Sequence, residues 1–260
     1  MSPVEILATA SSVLTHHKYA EYSGLRASRF GRWTDGVNML RADCVAFAGY
    51  WSEYNARVLA EPEPGIGPLW VALGDSTAQG LGAPGPHGGY IGQSLQELRR
   101  RTGQPWRLLN LSVSGSLIRD VLAIQLPQLP AAPALVTCGV GANDVFYSSP
   151  RRLFADLRAL LAAVPDGTVM LDLPLPVGLW GVVGRAGAPY ITRINQVIHE
   201  IAVERALPVA PVSEHFTPPW IGKFSADSFH PSQDGYRDWT RALLSVLPPA
   251  QATAAQAVTA

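Results

Sequence analysis

The sequence is poor in charge, and the charge that it has is balanced. Only 15% of its 260 residues are Asp, Glu, Lys or Arg, and 20 basic and 20 acidic residues leave a formal net charge of zero. A typical soluble domain has about a quarter of charged residues. No basic stripe or acidic block stands out, so a nucleic acid is not expected as a partner. Apolar residues make up 47% of the chain, which is enough for a large core.

Cysteine, long apolar runs and a basic N-terminus are also scarce or missing. The two cysteines, Cys44 and Cys138, lie in apolar surroundings, which predicts buried free thiols rather than a disulfide framework. No uninterrupted apolar run of about 18 residues could form a membrane-spanning helix. Residues 1–8 have no basic region before their short apolar stretch. This is not typical of a secretory signal and favours a cytoplasmic protein.

Residues 1–66 are predicted to form a helical extension. Ser2-Pro3-Val4-Glu5 has the residue types of a helix N-terminus. A second helix is predicted from apolar residues that recur at spacings of three and four and share one face: Leu40, Cys44, Phe47, Trp51, Tyr54 and Val58. That face can pack on the main domain, cover its functional site or form a dimer contact. The Pro- and Gly-rich stretch 62–68 ends the helix.

Residues 67–247 are predicted to form the main domain, and the small-residue tail 248–260 is predicted to be disordered. Short apolar runs predict strands at 69–73, 107–111, 134–138, 169–173 and 207–211. Helical patterns follow at 90–101, 118–125, 150–164, 189–205 and 231–247. Continuously apolar strands that alternate with helices indicate an α/β fold with a parallel sheet covered on both faces. Such sheets bind ligands beyond the carboxyl ends of their strands.

Chemically active residues follow the predicted strand ends. Ser76 comes after the first strand, and Gly74 permits a sharp turn before it. A serine at this point can cap the next helix, and it can also act as a nucleophile. Near the end of the domain, Asp227 and His230 lie three residues apart. In a compact turn this spacing lets the carboxylate hold one imidazole nitrogen while the other faces a serine, although a turn residue and an exposed histidine would look the same.

Two further segments offer hydrogen-bond donors. Gly115, in Ser114-Gly115, follows the second strand, and its backbone can approach a substrate closely because it has no Cβ. Asn143, in Gly141-Ala142-Asn143-Asp144, follows the third strand and carries a neutral amide. Donors of both kinds stabilise the oxyanion of acyl transfer, and the Ser76 N–H would be a third. Taken alone, each residue is more often a turn former.

In this order the four segments resemble those of the SGNH hydrolases, also called GDSL esterases, whose name spells the Ser, Gly, Asn and His. The resemblance covers roughly residues 69–247 and says nothing about residues 1–66. It implies a flavodoxin-like, three-layer α/β/α sandwich with a five-stranded parallel sheet. Thr77 stands where the name motif has Leu, at a position that varies in the family.

The resemblance also implies roles at the matching positions. Ser76 would be the nucleophile, His230 the base and Asp227 the residue that orients it. The oxyanion hole would consist of Ser76, Gly115 and Asn143. No cluster of His, Cys and carboxylates has metal-ligand spacing, and no Gly-rich turn has the phosphate-loop pattern, so neither metal nor cofactor is expected.

The sequence therefore predicts a serine esterase that hydrolyses small-molecule carboxylic esters with short- to medium-chain acyl groups through an acyl-Ser76 intermediate. Phe146, Tyr147 and Trp180 are predicted to contact the substrate. Three alternatives remain: an acyltransferase that uses the same serine, a non-catalytic binding module, and a membrane-surface lipase anchored by the apolar helix face. The oligomeric state is not indicated.

Overall fold

The computed structural model describes residues 31–60, 67–175 and 182–247. The predicted helix start at Ser2, the side chain of Leu40 and the tail 248–260 lie outside what is described. Within these ranges, the chain from Leu69 onward alternates strands and helices, as the sequence predicts.

Five strands form one parallel sheet in the order β2-β1-β3-β4-β5. The strands are β1 (Leu69–Gly74), β2 (Arg107–Asn110), β3 (Leu135–Gly139), β4 (Val169–Leu171) and β5 (Val209–Ala210). The sequence predicts all five, and the α/β class with a five-stranded parallel sheet is confirmed. β1 lies between β2 and β3, and its register aligns Gly74 with Gly139 of β3, the central strand.

The helices are α1 (Gly31–Ala60), α2 (Ser76–Gln79), α3 (Tyr90–Thr102), α4 (Ile118–Asp120), α5 (Asp144–Tyr147), α6 (Pro150–Ala163), α7 (Val182–Arg205), α8 (Val212–His215) and α9 (Gln233–Val246). Alternate residues of β1 point to opposite faces of the sheet. Val71 and Leu73 pack in one cluster with side chains of α6 and α7, whereas Trp70 and Ala72 pack in another with α3 and α9. The sheet therefore lies between two layers of helices.

The face predicted for the N-terminal helix is the buried face of α1. Cys44, Phe47, Trp51 and Val58 are at most 7% exposed. Asn55 is buried among them at 3% exposure, although its polar side chain excluded it from the predicted face. Cys44 and Cys138 are both buried and form no disulfide with each other, as predicted. None of the helices in the described ranges is long and apolar enough to cross a membrane.

Some element boundaries differ from those predicted. β4 ends at Leu171. The side-chain amide of Asn195 accepts the N–H of Leu173 at 2.9 Å and donates to the Leu173 carbonyl at 2.8 Å, so these backbone groups do not pair with a neighbouring strand. α7 begins at Val182, and Pro189 lies inside the helix rather than at its start. The missing N–H of Pro189 removes a helical hydrogen bond without ending the helix. α9 begins at Gln233, after Ser232, whose Oγ caps it by accepting the Gly235 N–H.

Candidate active site

Ser76 is the first residue of α2, just beyond the carboxyl end of β1. A Cβ on Gly74 would lie 2.4 Å from the carbonyl oxygen of Gly139, so the turn requires glycine. Asp75 caps α2 by accepting the Thr77 N–H at 2.9 Å and the Thr77 hydroxyl at 2.8 Å. The cap makes Ser76 begin a helix directly after the strand. Its side chain therefore sits where parallel sheets bind ligands.

A side-chain amide fixes the backbone just before Ser76. Gln125 accepts the Gly74 N–H at 2.8 Å and donates to the Gly74 carbonyl at 2.8 Å. Its amide also donates to Ser116 Oγ at 3.2 Å. Gln125 is fully buried and lies in a π-helical turn, Val121–Gln125, that continues α4. Sequence reasoning missed Gln125; its one signal is a lone amide in an apolar helical stretch.

Ser76, His230 and Asp227 form one hydrogen-bonded line. Ser76 Oγ lies 2.8 Å from His230 Nε2, and His230 Nδ1 lies 2.6 Å from Asp227 Oδ2. An ionised carboxylate can only accept, so Nδ1 carries the hydrogen and Nε2 presents a lone pair to the Ser76 hydroxyl. Ser76 and His230 are 6% and 5% exposed. The line is therefore largely shielded from water.

Asp227 is held in its ionised form. Burial, the largest single effect, opposes ionisation. The hydrogen bond and charge of His230, with hydrogen bonds from Ser225 and Phe229, outweigh burial and hold the pKa of Asp227 well below its usual range. The Oδ1 atom accepts the Ser225 hydroxyl at 2.6 Å and the N–H groups of Phe229 and His230 at 2.8 and 2.9 Å. The carboxylate therefore shapes the turn as well as orienting the imidazole.

Two contacts hold the His230 turn against the segment after α2. Gly82 has a φ of +92°, and a Cβ there would lie 2.4 Å from the Pro231 carbonyl oxygen and 2.9 Å from the His230 Cβ. Tyr236 of α9 donates to the carbonyl of Leu81 at 2.6 Å. Burial, followed by the charge of Asp75, raises the pKa of Tyr236 well above its usual value, so its hydroxyl remains a donor. Sequence reasoning singled out neither residue.

The two other candidate donors lie on neighbouring loops. Gly115 has a φ of +77°, which suits a residue without a side chain. Asn143 is 5% exposed and donates from Nδ2 to the carbonyl of Ser116, next to Gly115, at 3.0 Å. Asp144 ties the same two loops together, because it accepts the Ile118 N–H at 3.0 Å. An amide nitrogen has two hydrogens, so Asn143 keeps a second one for another acceptor.

This arrangement agrees with a comparison against protein families. The model of the GDSL-like lipase/acylhydrolase family matches residues 72–237, which is more than half of the chain. The chain belongs to this family. The matched range includes all four segments that carry the candidate site, and membership identifies the protein as an ester hydrolase. None of the curated proteins searched matches the chain.

Solved structures of other esterases and lipases share the fold of this member of the GDSL-like lipase/acylhydrolase family. A phospholipase A1 from Streptomyces albidoflavus NA297 is 20% identical over 70% of this chain and 100% of that chain, with a TM-score of 0.53. A variant of an acetyl xylan esterase from Geobacillus stearothermophilus is 22% identical over 70% of this chain and 94% of that chain, with a TM-score of 0.57. An extracellular lipase from Streptomyces rimosus is 19% identical over 69% of this chain and 100% of that chain, with a TM-score of 0.51.

A row of aromatic side chains begins at the histidine of this GDSL-like site. Phe229 packs edge-on against His230, with 4.9 Å between ring centroids. The ring centroid of Phe146 lies 6.2 Å from that of Phe229 and 6.5 Å from that of Tyr147. Phe146 is 53% exposed and Tyr147 is 38% exposed. We call Phe146, Tyr147 and Phe229 the aromatic rim. Sequence reasoning predicted two of its members and missed Phe229, while Trp180 lies outside the described residues.

A cavity of about 420 Å³ opens elsewhere, between the segments before β3 and β4. Residues 129, 130, 132–136 and 165–168 line it. It therefore lies at the amino ends of these strands, whereas Ser76, Asn143 and Gly115 follow carboxyl ends. The cavity is not part of the candidate active site.

Proposed function

We propose that the chain is a serine esterase that cleaves carboxylic esters in two steps through an acyl group on Ser76. The observation that carries the proposal is the line from Ser76 Oγ to His230 Nε2 at 2.8 Å and from His230 Nδ1 to Asp227 Oδ2 at 2.6 Å. In this geometry a proton can leave the serine as its oxygen attacks, and Asp227 stabilises the imidazolium that forms.

In the first step Ser76 Oγ bonds to the acyl carbon, and the Ser76 proton passes to His230 Nε2. The carbonyl oxygen becomes an oxyanion that accepts hydrogen bonds from the N–H groups of Ser76 and Gly115 and from the free Nδ2 hydrogen of Asn143. The bond to the alcohol oxygen then breaks, and His230 returns its proton to that oxygen. In the second step water attacks the acyl-Ser76 ester with His230 again as base, which releases the acid and restores the serine.

The acyl group in this proposal is apolar and of short to medium length. The aromatic rim offers partly exposed apolar surface beside His230, and its members Phe146 and Tyr147 are carried by the same turn, α5, that follows Asn143. Exposed aromatic surface at a catalytic group is typical of a ligand site. Relatives of the same fold include an acetyl xylan esterase, a phospholipase A1 and a lipase, so the fold accommodates acyl groups of different sizes.

The acyl-enzyme itself can be tested for. Wild-type protein and Ser76→Ala are mixed with p-nitrophenyl butanoate, quenched in acid within the first turnovers, and analysed by mass spectrometry. We expect a butanoyl group on the peptide that contains Ser76 in the wild type and no acylated peptide in the variant. Ester cleavage without any acylated intermediate, at rates that would allow it to accumulate, would contradict a covalent route.

The same reaction distinguishes hydrolysis from acyl transfer. Repeating it with increasing amounts of added methanol or glycerol, while measuring butanoic acid and the new ester, compares water with alcohols as acceptors. We expect the acid to be the main product at every alcohol concentration below about one molar. A new ester as the main product at millimolar alcohol would favour the acyltransferase instead.

A further inference from the structure

α1 is anchored to the main domain by hydrogen bonds from buried side chains to backbone groups. Asn55 Nδ2 donates to the carbonyl of Asn110 at 2.7 Å, and its Oδ1 accepts the Asn110 N–H at 2.9 Å. The indole of Trp51 donates to the carbonyl of Gln79 at 3.0 Å. Asn55 and Trp51 are 3% and 2% exposed. Water therefore does not compete for these bonds.

The hydrogen bonds from Asn55 to Asn110 satisfy backbone groups on the open edge of the sheet. Among the residues that the structure describes, β2 is an edge strand that pairs with β1 alone, and Asn110 is its last residue. The free side of an edge strand presents N–H and C=O groups without a neighbouring strand. The amide of Asn55 satisfies both groups of Asn110, which is itself 2% exposed. Removing the Asn55 side chain would leave a buried donor and a buried acceptor without this partner, which would lower the stability of the fold.

The side chain of Asn110 links its contact with α1 to the loop that leads to Gly115. Its Oδ1 accepts the N–H of Ser112 at 3.2 Å and the Ser112 hydroxyl at 2.5 Å. Its Nδ2 donates to the carbonyl of Ala78 in α2 at 2.9 Å. Asn110 therefore joins the loop that leads to Gly115 with the helix that begins at Ser76.

Gln79 makes a second connection between the same two segments. Its Nε2 donates to the Ser112 carbonyl at 2.8 Å, and its Oε1 accepts the hydroxyl of Ser114 at 2.5 Å. Ser114 directly precedes Gly115. The carbonyl of Gln79 is the group that Trp51 holds from α1. Both connections between α2 and the Gly115 loop are thus fixed from the side by α1.

These contacts bear on the proposed oxyanion hole because two of its donors are on the two joined segments. The Ser76 N–H belongs to α2, and the Gly115 N–H belongs to the loop. Donors are effective only when they lie about 3 Å from the developing oxyanion. A misplacement of about 1 Å can lower the rate on the order of 100-fold.

We propose that Asn55 is a positioning residue for the oxyanion hole and acts through Asn110 on the loop that carries Gly115. This inference rests on the proposed function. α1 ends at Ala60, before the residues 72–237 that the family model matches. Part of the support for the active site of this chain therefore comes from a helix outside the region that the family model matches.

The test compares Asn55→Leu, which keeps the side-chain size and removes both hydrogen bonds, with the wild type. The matched control is Glu53→Ala, at an exposed position of the same helix. Thermal unfolding first sets a temperature at which every variant is fully folded. Two rates are then measured: hydrolysis of p-nitrophenyl butanoate, and phosphonylation of Ser76 by an aryl alkylphosphonate, followed by intact mass. Phosphonylation needs the same oxyanion donors but no deacylation.

We expect Asn55→Leu to lower kcat roughly 10- to 100-fold, less than the 100- to 1000-fold typical of deleting a whole donor. KM should change no more than about twofold, because the loss concerns the transition state. Phosphonylation should slow by a similar factor as kcat. The pH at which kcat falls in acid should not move, since His230 is held by other contacts. Glu53→Ala should match the wild type.

If Asn55→Leu does not fold, Trp51→Phe is the second variant. It keeps one aromatic ring at the buried position and removes the indole N–H together with part of the ring system. It should show the same pattern with a smaller loss of kcat, roughly threefold to tenfold. Lower melting temperatures with an unchanged kcat per folded molecule would mean that α1 stabilises the fold only, and would overturn the proposal. A wild-type protein that neither hydrolyses esters nor reacts with the phosphonate would instead contradict the proposed function, and this inference with it.

Discussion

Gly82 and His230 approach so closely that a single added carbon on Gly82 would lie 2.9 Å from the Cβ of His230. The carbonyl oxygen of Pro231 would be closer still, at 2.4 Å. Because a backbone atom cannot turn aside as a long side chain can, the turn that carries His230 has to move when residue 82 gains a Cβ. The distance between His230 and Ser76 therefore depends on a glycine that takes no part in the chemistry.

Gly82→Ala should lower kcat by roughly 100-fold, since about 1 Å of misplacement has effects of that size. Gly103→Ala is the matched control. Gly103 also has a positive φ, +64°, but a Cβ there would meet no atom of the described residues within 4 Å. Both variants should lose about 1–2 kcal/mol of stability from the left-handed backbone. Gly82→Ala should lose more, because of the overlap with Pro231, and it alone of the two should lose activity. Equal activities, measured on folded protein, would show that the His230 turn is not sensitive to this contact.

Asp227 should stabilise the folded protein at neutral pH and lose this effect in acid. Its pKa is lowered in the folded state, so its contribution is present above the pKa of an unfolded aspartate, about 3.9, and is lost as pH falls from there toward the folded pKa. Urea unfolding of the wild type and Asp227→Asn, from pH 7 down to pH 3, measures the difference in unfolding free energy. We expect a constant difference above about pH 5 that shrinks below pH 4.

The control for this series is Asp234→Asn. The Asp234 side chain is 61% exposed and pairs with Arg237 on the surface of α9, and such pairs contribute little. Its difference from the wild type should stay below about 1 kcal/mol at every pH, the most that an exposed acidic residue in the first turn of α9 contributes. An Asp227 difference that grew in acid would reverse the sign expected from a lowered pKa and would contradict the account of this carboxylate.

Asn143→Ala should lower kcat about 100- to 1000-fold and leave KM nearly unchanged, because its amide is expected to bind the oxyanion rather than the ground-state ester. Asn195→Ala offers a control of the same residue type, since Asn195 binds only the backbone of Leu173 among its described contacts. It should affect stability more than kcat. A change confined to KM in Asn143→Ala would mean that this amide binds the substrate before the reaction.

Phe146→Ala should reduce the preference for longer acyl groups. The quantity measured is kcat/KM for p-nitrophenyl hexanoate divided by that for the acetate, so a uniform loss of activity cancels. Four methylenes half-covered by the aromatic rim would raise this ratio roughly 10-fold in the wild type, and the variant should lose most of the increase. Val203→Ala, at an 82% exposed position of α7, should keep it. An unchanged ratio in Phe146→Ala would place the acyl group away from the rim.

The sequence predicts the fold well because this sheet is buried on both faces. Each strand is then a short run of apolar residues, as at Leu69–Leu73, and such runs are distinct from the helical patterns between them. Strand ends are harder to predict because they depend on distant partners. β4 stops where Asn195, 22 residues away, takes over the backbone bonds of Leu173, and local sequence does not reveal that pairing.

The candidate site likewise contains residues that the sequence predicts and supporting residues that it does not. The segments with Ser76, Asn143 and His230 carry recognisable residue types at strand ends and turns, and the structure brings Ser76 and His230 within 2.8 Å. The amides that support them, Gln125 and Asn55, bind backbone groups 51 and 55 residues away. A backbone partner has no residue type of its own, so the sequence shows a buried amide without showing what it holds.

The central claim is that Ser76 is the nucleophile of an ester hydrolase. The most direct test measures hydrolysis of p-nitrophenyl esters, from acetate to long acyl chains, by wild type and Ser76→Ala prepared side by side and shown to be equally folded. The account predicts wild-type turnover that is highest for short to medium chains and a loss of at least about 1000-fold in the variant. Turnover by Ser76→Ala at the wild-type rate would show that another group carries the reaction.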